Sequence, residues 1–386
     1  MGFLVQLVVR NIARQKLRNL LTGLGIVIAV VAFGLLRTVV DAWYAGVESS
    51  SSSRLVVRHA VSLAFALPIR YQQRIRQVEG VTGVTHASWF GGVYIDEKNF
   101  FPQFAIDPTT YFDLLPELEL KPEEKAAFLH DRKGAMVGRK TAARFGWKVG
   151  DSVPLRGTIY PGNWSFVIRG IYSGKTRGVD ETTFFFHYDY LNEYLRQEGD
   201  ARADQVGLFF VGIDRPDHAA QVSAAIDQAF KNSLAETLTE TEKAFQLSFV
   251  AMTEAIVVAV EIVSYVIIVI IMAVMANTMA MTARERMREY ATLKAMGFGP
   301  GYLAALISGE SLGIALSAGA IGIIATFPVV RAMGDLLVAV FPVFLLGRRT
   351  IWMALAAVAV IGWVAAVFPA IKAARVSVSD GLRSMG

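Results

Sequence analysis

Four apolar runs, each as long as a membrane-spanning helix, dominate the pattern of hydrophobic and polar positions. They cover residues 20–40, 255–281, 302–330 and 351–371. A hydrocarbon core about 30 Å thick takes roughly 20 residues of α-helix, so each run predicts one span. The first run is longer than the roughly 7–15 apolar residues of a signal peptide, and no small-residue cleavage site follows it, which favours a retained anchor.

The basic residues gather at one set of ends of these predicted spans. Residues 41–250 carry 23 basic and 26 acidic side chains, whereas the rest of the chain carries 15 and 7. Eleven of those 15 basic residues lie at the N-terminus, at 284–294 and at 372–386. Because positive residues stay on the cytoplasmic side of a membrane, we expect both termini and the 284–301 loop in the cytoplasm. Residues 41–250 and the short 331–350 loop are then outside.

The pattern between the first two spans is that of a folded domain outside the membrane. Aromatic and β-branched residues predict strands at 165–172, 182–188 and 206–213. Helical spacing predicts helices at 69–78, 140–145, 189–197 and 219–230. Few breakers interrupt 235–253, so we expect a helix there that extends the second span as a rigid stalk. The predicted fold class is a membrane α-helical bundle of four transmembrane helices plus a mixed α+β extracytoplasmic domain.

The composition limits the chemistry available to this chain. Mean hydropathy is +0.43 and 18% of residues are charged, against about 25% in a typical soluble domain. The absence of cysteine excludes disulfides, thiol nucleophiles and Cys-based zinc sites. Five histidines without HExxH spacing argue against a metal site, and no catalytic residues or GxSxG motif are identified. The basic residues flank apolar runs, which argues against nucleic-acid binding.

One stretch looks like a phosphate-binding P-loop. It reads Gly170-Ile-Tyr-Ser-Gly174-Lys175-Thr176, with three residues between the glycines where the motif has four. No helix is predicted after it to supply a positive N-terminus. We therefore interpret it as a turn that follows the 165–172 strand.

Several segments together resemble the MacB/FtsX-type ABC transporter permeases. In residues 277–297, NTMAMTARERMREYATLKAMG, a span ends in Asn-Thr, an Arg/Glu-rich helix follows, and the helix closes on glycine, as in that family. Four other segments are similar to motifs of the same family. They are the opening VRNIARQKLRNL, AMVGRKTAARFGWKVGD at 135–151, FPAIKAAR at 368–375 and GLR at 381–383. The resemblance covers nearly the whole chain. The segment 377–380 stands where the family often has a proline.

The resemblance implies a non-catalytic permease subunit in a bacterial cell inner membrane. It implies that the chain binds no cofactor directly, that ATP acts through a separate cytoplasmic ABC ATPase dimer, and that a second copy of the chain forms a homodimer among membrane lipids. The MacB-like periplasmic domain would then move to export or extract a substrate by mechanotransmission. A periplasmic adaptor is compatible with this scheme.

Two other functions stay open at this point. An FtsX-like regulatory permease would control an extracytoplasmic cell-wall hydrolase and transport nothing, and the core motifs do not separate this function from transport. A membrane enzyme with an extracytoplasmic active site is the third hypothesis. The missing catalytic constellation argues against the enzyme.

The segment 284–297 is the predicted coupling helix. Met287, Tyr290, Leu293 and Met296 recur at helical spacing, and Gly297 is a stop signal. Such a helix can present an apolar ridge to a partner groove, and the resemblance implies that the partner is the ATPase. The alternative is a helix that rests on anionic headgroups. The predicted ATPase-coupling residues are Arg284, Arg286, Met287, Glu289, Tyr290, Leu293, Lys294, Met296 and Gly297.

Polar residues inside the spans are the remaining candidates, namely Glu261, Asn277 and Glu310, with Arg37 near the end of the first span. Ionisable groups in a membrane are costly unless they are paired or hydrated. Glu310 is therefore either a functional residue or a structural partner of a base such as Arg284 or Lys294. In the same span, the small-residue pairs Gly309 with Gly313 and Ala315 with Gly319 predict close packing against the chain's own helices or against a second copy.

Residues 2–18 have the spacing of an amphipathic helix in the inner headgroup region, and an ordinary basic segment is the alternative. The predicted domain organisation is 1–43 for this helix and the first span, 44–250 for the extracytoplasmic domain, and 251–386 for three spans with the coupling helix.

Overall fold

The computed structural model describes residues 10, 14, 16–176, 178–338 and 340–375. Most of the predicted helix at 2–18 and the closing motif at 381–383 lie outside the described residues. The helices are α1 Lys16–Ser49, α2 Tyr71–Arg76, α3 Tyr111–Leu114, α4 Pro122–His130, α5 Arg139–Phe145, α6 Tyr188–Gln197, α7 Ala219–Phe230, α8 Glu242–Met252, α9 Glu254–Glu285, α10 Met287–Ala295, α11 Pro300–Leu337 and α12 Arg348–Ala374. The strands are β1 Arg54–His59, β2 Leu67–Pro68, β3 Val81–Trp89, β4 Gly92–Val93, β5 Gln103–Ile106, β6 Leu118–Glu119, β7 Gly134–Gly138, β8 Ser152–Gly157, β9 Gly162–Gly174, β10 Phe184–His187, β11 Gln205–Val206, β12 Leu208–Ile213 and β13 Thr237–Thr241.

The chain divides into two compact units. The helical unit contains α1 up to Ala42, Glu254–Asp335 and the chain from Phe344 onward. The sheet unit contains Trp43–Thr253 together with Leu336–Val343. Each unit has its own apolar core, and each is described separately below.

Four helices of the helical unit are long and apolar enough to span a membrane, namely α1, α9, α11 and α12. Each of them begins before and ends after the apolar run that predicted it. The reason is that backbone hydrogen bonding continues through flanking Arg, Lys and Glu residues, which are good helix formers. Side chains from all four helices meet in one core, which includes Phe33, Met275, Ile314 and Val358.

Small residues let α11 and α12 pack closely. A Cβ atom on Gly319 would lie 2.6 Å from both γ-carbons of Val358, and a Cβ on Gly362 would lie 2.9 Å from the Cβ of Ala315. The small-residue face at 315 and 319 therefore packs against the chain's own fourth span, which resolves the alternative that the sequence left open.

The sheet unit is built on a mixed sheet. Its strands follow the order β13-β1-β12-β3-β5-β10-β7-β9-β8-β4, with β6 paired to β9, and β2 pairs with β11 in a separate small sheet. The pairs β5–β10 and β7–β9 are parallel, and the other pairs are antiparallel. The alternation of Phe166 and Ile168 with more exposed neighbours in β9 is the period-two pattern of a strand.

Helices cover both faces of this sheet. On one face, Ile75 of α2, Leu191 of α6 and Ile226 of α7 join the larger core with buried strand residues. On the other face, Phe112 of α3 and Phe128 of α4 pack with Phe185. The predicted mixed α+β domain and its predicted strands and helices near 165–230 are present.

The predicted helical stalk at 235–253 is wrong in its first part. Thr237–Thr241 forms strand β13, which pairs with β1. The hydroxyls of Thr237 and Thr239 donate to Asp227 of α7 at 2.9 and 2.6 Å. These bonds and the β-branched shape of threonine favour the strand over the helix. The helix also breaks at Thr253, where φ is −115° and ψ is 10°.

The P-loop-like stretch has no phosphate-binding geometry. Gly170 and Gly174 belong to the extended strand β9, and no helix follows within the described residues up to 176. The backbone N–H of Gly174 donates instead to Glu181 at 2.9 Å.

Candidate functional site

The site lies at the end of the helical unit where α1 begins, α9 ends, α11 begins and α12 ends. A short separate helix, α10, follows α9 after Arg286. It ends in hydrogen bonds from Gly297 N–H to Lys294 O and from Phe298 N–H to Leu293 O, at 3.0 and 3.1 Å. Gly297 has a φ of 92°, the left-handed conformation that closes this type of helix end. The predicted helix at 284–297 is thus two elements, because α9 continues to Glu285.

Three of the four predicted ridge residues, Met287, Tyr290 and Leu293, pack against the chain's own helices, whereas Met296 is exposed. Binding of the ridge to a partner stays a prediction. Tyr290 is fully buried, and Met287 and Leu293 pack beside it. Their apolar neighbours on α9, α11 and α12 are Ala283, Leu303, Leu306, Ile307, Ala366, Ala370 and Ala373. Burial, ahead of the opposing charge of Arg286, raises the pKa of Tyr290 to about 12. The sequence showed that α10 is amphipathic, but its period cannot tell which neighbour covers the apolar side.

The opposite side of α10 is exposed. Arg288, Thr292 and Ala295 lie on it, and Met296, just after the helix, is 63% exposed. Arg284 is exposed at the end of α9, and Lys294 is half-buried. Of the nine predicted coupling residues, the outer surface therefore contains Arg284, Met296 and Gly297, while the ridge residues support the helix from behind.

A cluster of charges holds α10 in place. The Arg286 Nη1 atom donates to both carboxylate oxygens of Glu310 at 2.8 Å, and its Nε atom donates to Glu289 at 2.8 Å. Glu289 also accepts from Arg14 at 2.7 Å. Glu310 is only 6% exposed and pairs with Arg286, a base close to the examples Arg284 and Lys294 that the sequence offered.

The charges in this cluster stabilise one another. Burial acts to lower the pKa of Arg286, but the carboxylates of Glu310 and Glu289 outweigh burial and raise it. Burial acts to raise the pKa of Glu289, but Arg286 and Arg14 outweigh burial and lower it. Arg286 and Glu289 therefore both stay ionised at neutral pH.

A groove opens beside α10 at the same end. Met287, Phe368 and Ile371 form its apolar part, Lys372 and Arg375 contribute positive charge, and its volume is about 390 Å³. This end of the bundle therefore exposes both apolar and cationic surface beyond the packed core.

A second polar cluster joins α1, α9 and α12 near the ends of these spans that lie away from α10. The buried Arg37 of α1 donates to Glu261 of α9 at 2.6 Å. Asp41, one turn after Arg37, accepts from the hydroxyl of Thr350 on α12 at 2.7 Å. Glu261 thus has an ionic partner, as charged groups in a membrane require. Asn277 joins neither cluster and lies exposed on α9.

A buried arginine organises the sheet unit where the chain passes from α1 into the sheet and from the sheet into α8. Arg54 of β1 donates through Nε and Nη2 to both oxygens of Glu242, the first residue of α8, at 2.9 and 3.0 Å. It also donates to Glu117 at 2.5 Å and to the carbonyl of Leu114 at 2.9 Å. Sequence reasoning missed this site, because a single Arg at the start of a strand gives no signal of its partners.

Family models match most of the chain. The model described as the MacB-like periplasmic core domain matches residues 20–229, and the model described as the FtsX-like permease C-terminal matches residues 261–378. The second match includes α10, Glu310 and α12. No curated protein gave a significant match.

Solved structures of extramembrane domains are similar to part of the chain at low identity. The extracellular domain of the noncanonic ABC-type transporter YknZ from Gram-positive bacteria has 12% identity and a TM-score of 0.36, over 49% of this chain and 100% of that one. The periplasmic region of MacB from Actinobacillus actinomycetemcomitans has 12% identity and a TM-score of 0.37, over 53% and 95%. A domain of a putative permease protein from Porphyromonas gingivalis has 13% identity and a TM-score of 0.33, over 50% and 91%.

The two family models match consecutive parts of the chain. The first covers α1 from residue 20 and the sheet unit as far as residue 229, and the second covers α9 from residue 261, α10 and the two later spans. With four helices able to span a membrane, the chain is a multi-pass membrane protein, and it belongs to the MacB/FtsX-type family of ABC transporter permeases.

Proposed function

We propose that this chain is the permease subunit of a MacB-type ABC transporter, in which ATP hydrolysis by a separate ATPase dimer moves the sheet unit to export or extract a substrate. The observation that carries the proposal is α10, a short helix fixed from behind by apolar packing and by Arg286, with its other side exposed. A helix held in this way can receive a push from a bound partner without changing its own position on the bundle.

The proposed orientation follows from charge. The described basic residues at the N-terminal end of α1, around α10 and at the end of α12 lie at the same end of the helical unit as α10. Positive residues favour the cytoplasmic side, so α10 would face the cytoplasm, where an ATPase operates, and the sheet unit would lie outside. The proposal includes a homodimer, because ABC ATPases act as dimers that need two coupling surfaces.

The exposed side of α10 is the proposed ATPase-docking surface. Met296 offers an apolar contact there, whereas Leu293 packs against the chain's own helices and Met287 lines the neighbouring groove. We therefore expect Met296→Asp to weaken ATPase binding at least tenfold, or about 1.4 kcal/mol, as for a central interface contact. Leu234→Asp, at a fully exposed position in the sheet unit, is the matched control and should bind normally.

The test of the proposed function is purification of the full chain from its native membrane in mild detergent. A stoichiometric ATPase that co-purifies, together with ATP hydrolysis by the complex, supports the proposal. A chain that carries no ATPase under several mild conditions contradicts it. If a cell-wall hydrolase is the third component, the complex regulates that hydrolase and is not a transporter.

A further inference from the structure

The covalent connection between α10 and α11 is the short loop 296–299. The N–H groups of Gly297 and Phe298 donate to carbonyls of α10, and Gly301 already belongs to α11, which begins at Pro300. Gly299 lies between these ordered ends, and a Cβ atom on it would meet no atom within 4 Å. Because glycine has the largest conformational freedom of any residue, Gly299 is the point at which a displaced α10 would turn relative to α11 if the loop were the only connection.

A non-covalent connection bypasses the loop. Arg286 lies between α9 and α10, and its guanidinium holds Glu289 on α10 with Nε and Glu310 on α11 with Nη1, each at 2.8 Å. One side chain, at the junction of α9 and α10, thus binds residues of α10 and α11. The Arg286 and Glu310 side chains are both largely buried, so water does not weaken their attraction as it would at the surface.

The connection reaches well into the third span. At a rise of 1.5 Å per residue, Glu310 lies about 15 Å along α11 from Pro300. A force applied at Glu310 therefore acts on the body of the span, past the end that frays most easily. Apolar packing around Tyr290 also joins α10 to α11, but it is non-directional, whereas a charge-assisted hydrogen bond fixes both distance and direction.

We propose that Arg286 is a positioning residue that makes α10 and the third span move as one body, so that displacement of α10 by the ATPase reaches α11 through Glu310. This inference rests on the proposed function, since it requires an ATPase that displaces α10. Glu289 completes the arrangement by fixing the Arg286 guanidinium to α10, and its exposed partner Arg14 lies at the edge of the cluster.

The experiment uses the full chain with its ATPase, and the absence of native cysteine permits a single label. An environment-sensitive fluorophore on Ile324→Cys, an exposed position of α11, reports movement of the third span when MgATP is added. The spectral shift is divided by the amount of ATPase bound, so that weaker docking is not read as weaker transmission. The test variant is Arg286→Gln with Glu310→Gln, which removes both charges and leaves neither unpaired. Arg196→Gln with Asp204→Asn, which removes an exposed ion pair of the sheet unit, is the matched control.

We expect the normalised shift to fall at least fivefold in the double variant, which is the lower end of a typical coupling between two sites. The shift should stay at the wild-type value in the control, Arg196→Gln with Asp204→Asn. A full shift in the double variant, or an ATP-hydrolysing wild-type complex without any shift, overturns the inference. Loss of ATPase binding in the double variant assigns the pair to docking and overturns it too.

A conservative variant covers the case in which the double variant does not fold. Arg286→Lys keeps the charge but has no fork to bind Glu289 and Glu310 together, so we expect a shift between the two extremes. A full shift in Arg286→Lys rejects the positioning role. A wild-type chain without any ATPase refutes the proposed function itself, which is a separate result.

Discussion

Replacing Arg54 should destabilise the sheet unit far more than replacing an exposed arginine. Arg54 is 3% exposed and binds both Glu242 and Glu117. In Arg54→Gln, these two carboxylates would face each other without the positive charge that separates them. Breaking a buried ion pair in this way costs about 3–5 kcal/mol.

The size of the effect can be compared within the same unit. Arg196 pairs with Asp204, but the Arg196 side chain is 56% exposed, so Arg196→Gln should cost about 0–1 kcal/mol. For a domain of this size each kcal/mol lowers the unfolding temperature by about 2–4 °C, so Arg54→Gln should lower it by roughly 10 °C. The double variant Arg54→Met with Glu242→Met should recover part of the loss, because it leaves fewer unpaired charges.

The assay is thermal unfolding of the full chain in detergent, followed by tryptophan fluorescence. Trp147 and Trp164 are buried in the sheet unit and report its unfolding. The reasoning fails if Arg54→Gln and Arg196→Gln unfold within about 2 °C of each other, a difference below 1 kcal/mol.

Three further predictions concern buried positions. Burial lowers the pKa of His86 to about 4 from 6.5, so the unfolded chain binds the extra proton between these values and stability falls as the pH drops from 6.5 to 4. The loss of unfolding free energy is at most about 3 kcal/mol. The unfolding free energy from urea titrations should depend less steeply on pH in His86→Gln than in the wild type. Equal pH dependence in the two proteins would contradict the assignment. Gly138→Ala should destabilise the sheet unit by about 2–4 kcal/mol in the same titration, since its Cβ would lie 2.1 Å from the carbonyl oxygen of Glu181; wild-type stability would refute that contact. Gly319→Ala should cost the helical unit about 1–3 kcal/mol by pushing α11 away from Val358, measured as a lower midpoint of thermal aggregation in detergent, and an unchanged midpoint would argue against the packing.

Several parts of the fold could be read from local pattern. The four spans follow from the length of apolar runs, and strand β9 follows from the alternation around Phe166 and Ile168. The structure confirms both predictions, because they depend on the bilayer thickness and on the two-residue period of a strand. These two quantities are the same wherever the segment packs. Thr237–Thr241 was predicted as helix because its preference for a strand depends on β1 and Asp227, which are distant in sequence.

The candidate site was only half visible from the sequence. Periodicity placed Met287, Tyr290, Leu293 and Met296 on one face of a helix and Gly297 at its end. Met296 instead follows α10 and is exposed. Periodicity does not show which neighbour that face packs against. In the structure it packs against α11 and α12, which leaves the other side of α10 for a partner. The pairing of Glu310 with Arg286 likewise depends on how α10 and α11 pack.

The spans, the basic ends, the mixed domain and the family could be predicted from the sequence, since each depends on composition or on short motifs. Which charges meet depends on the folded arrangement of the helices and strands. Arg286 reaches Glu310, Arg37 reaches Glu261 and Arg54 reaches Glu242 across separations of 24, 224 and 188 residues. Charges attract any opposite charge at short range, so their pairing is set by the helices and strands that bring them within 3 Å or so, and not by their own positions in the sequence.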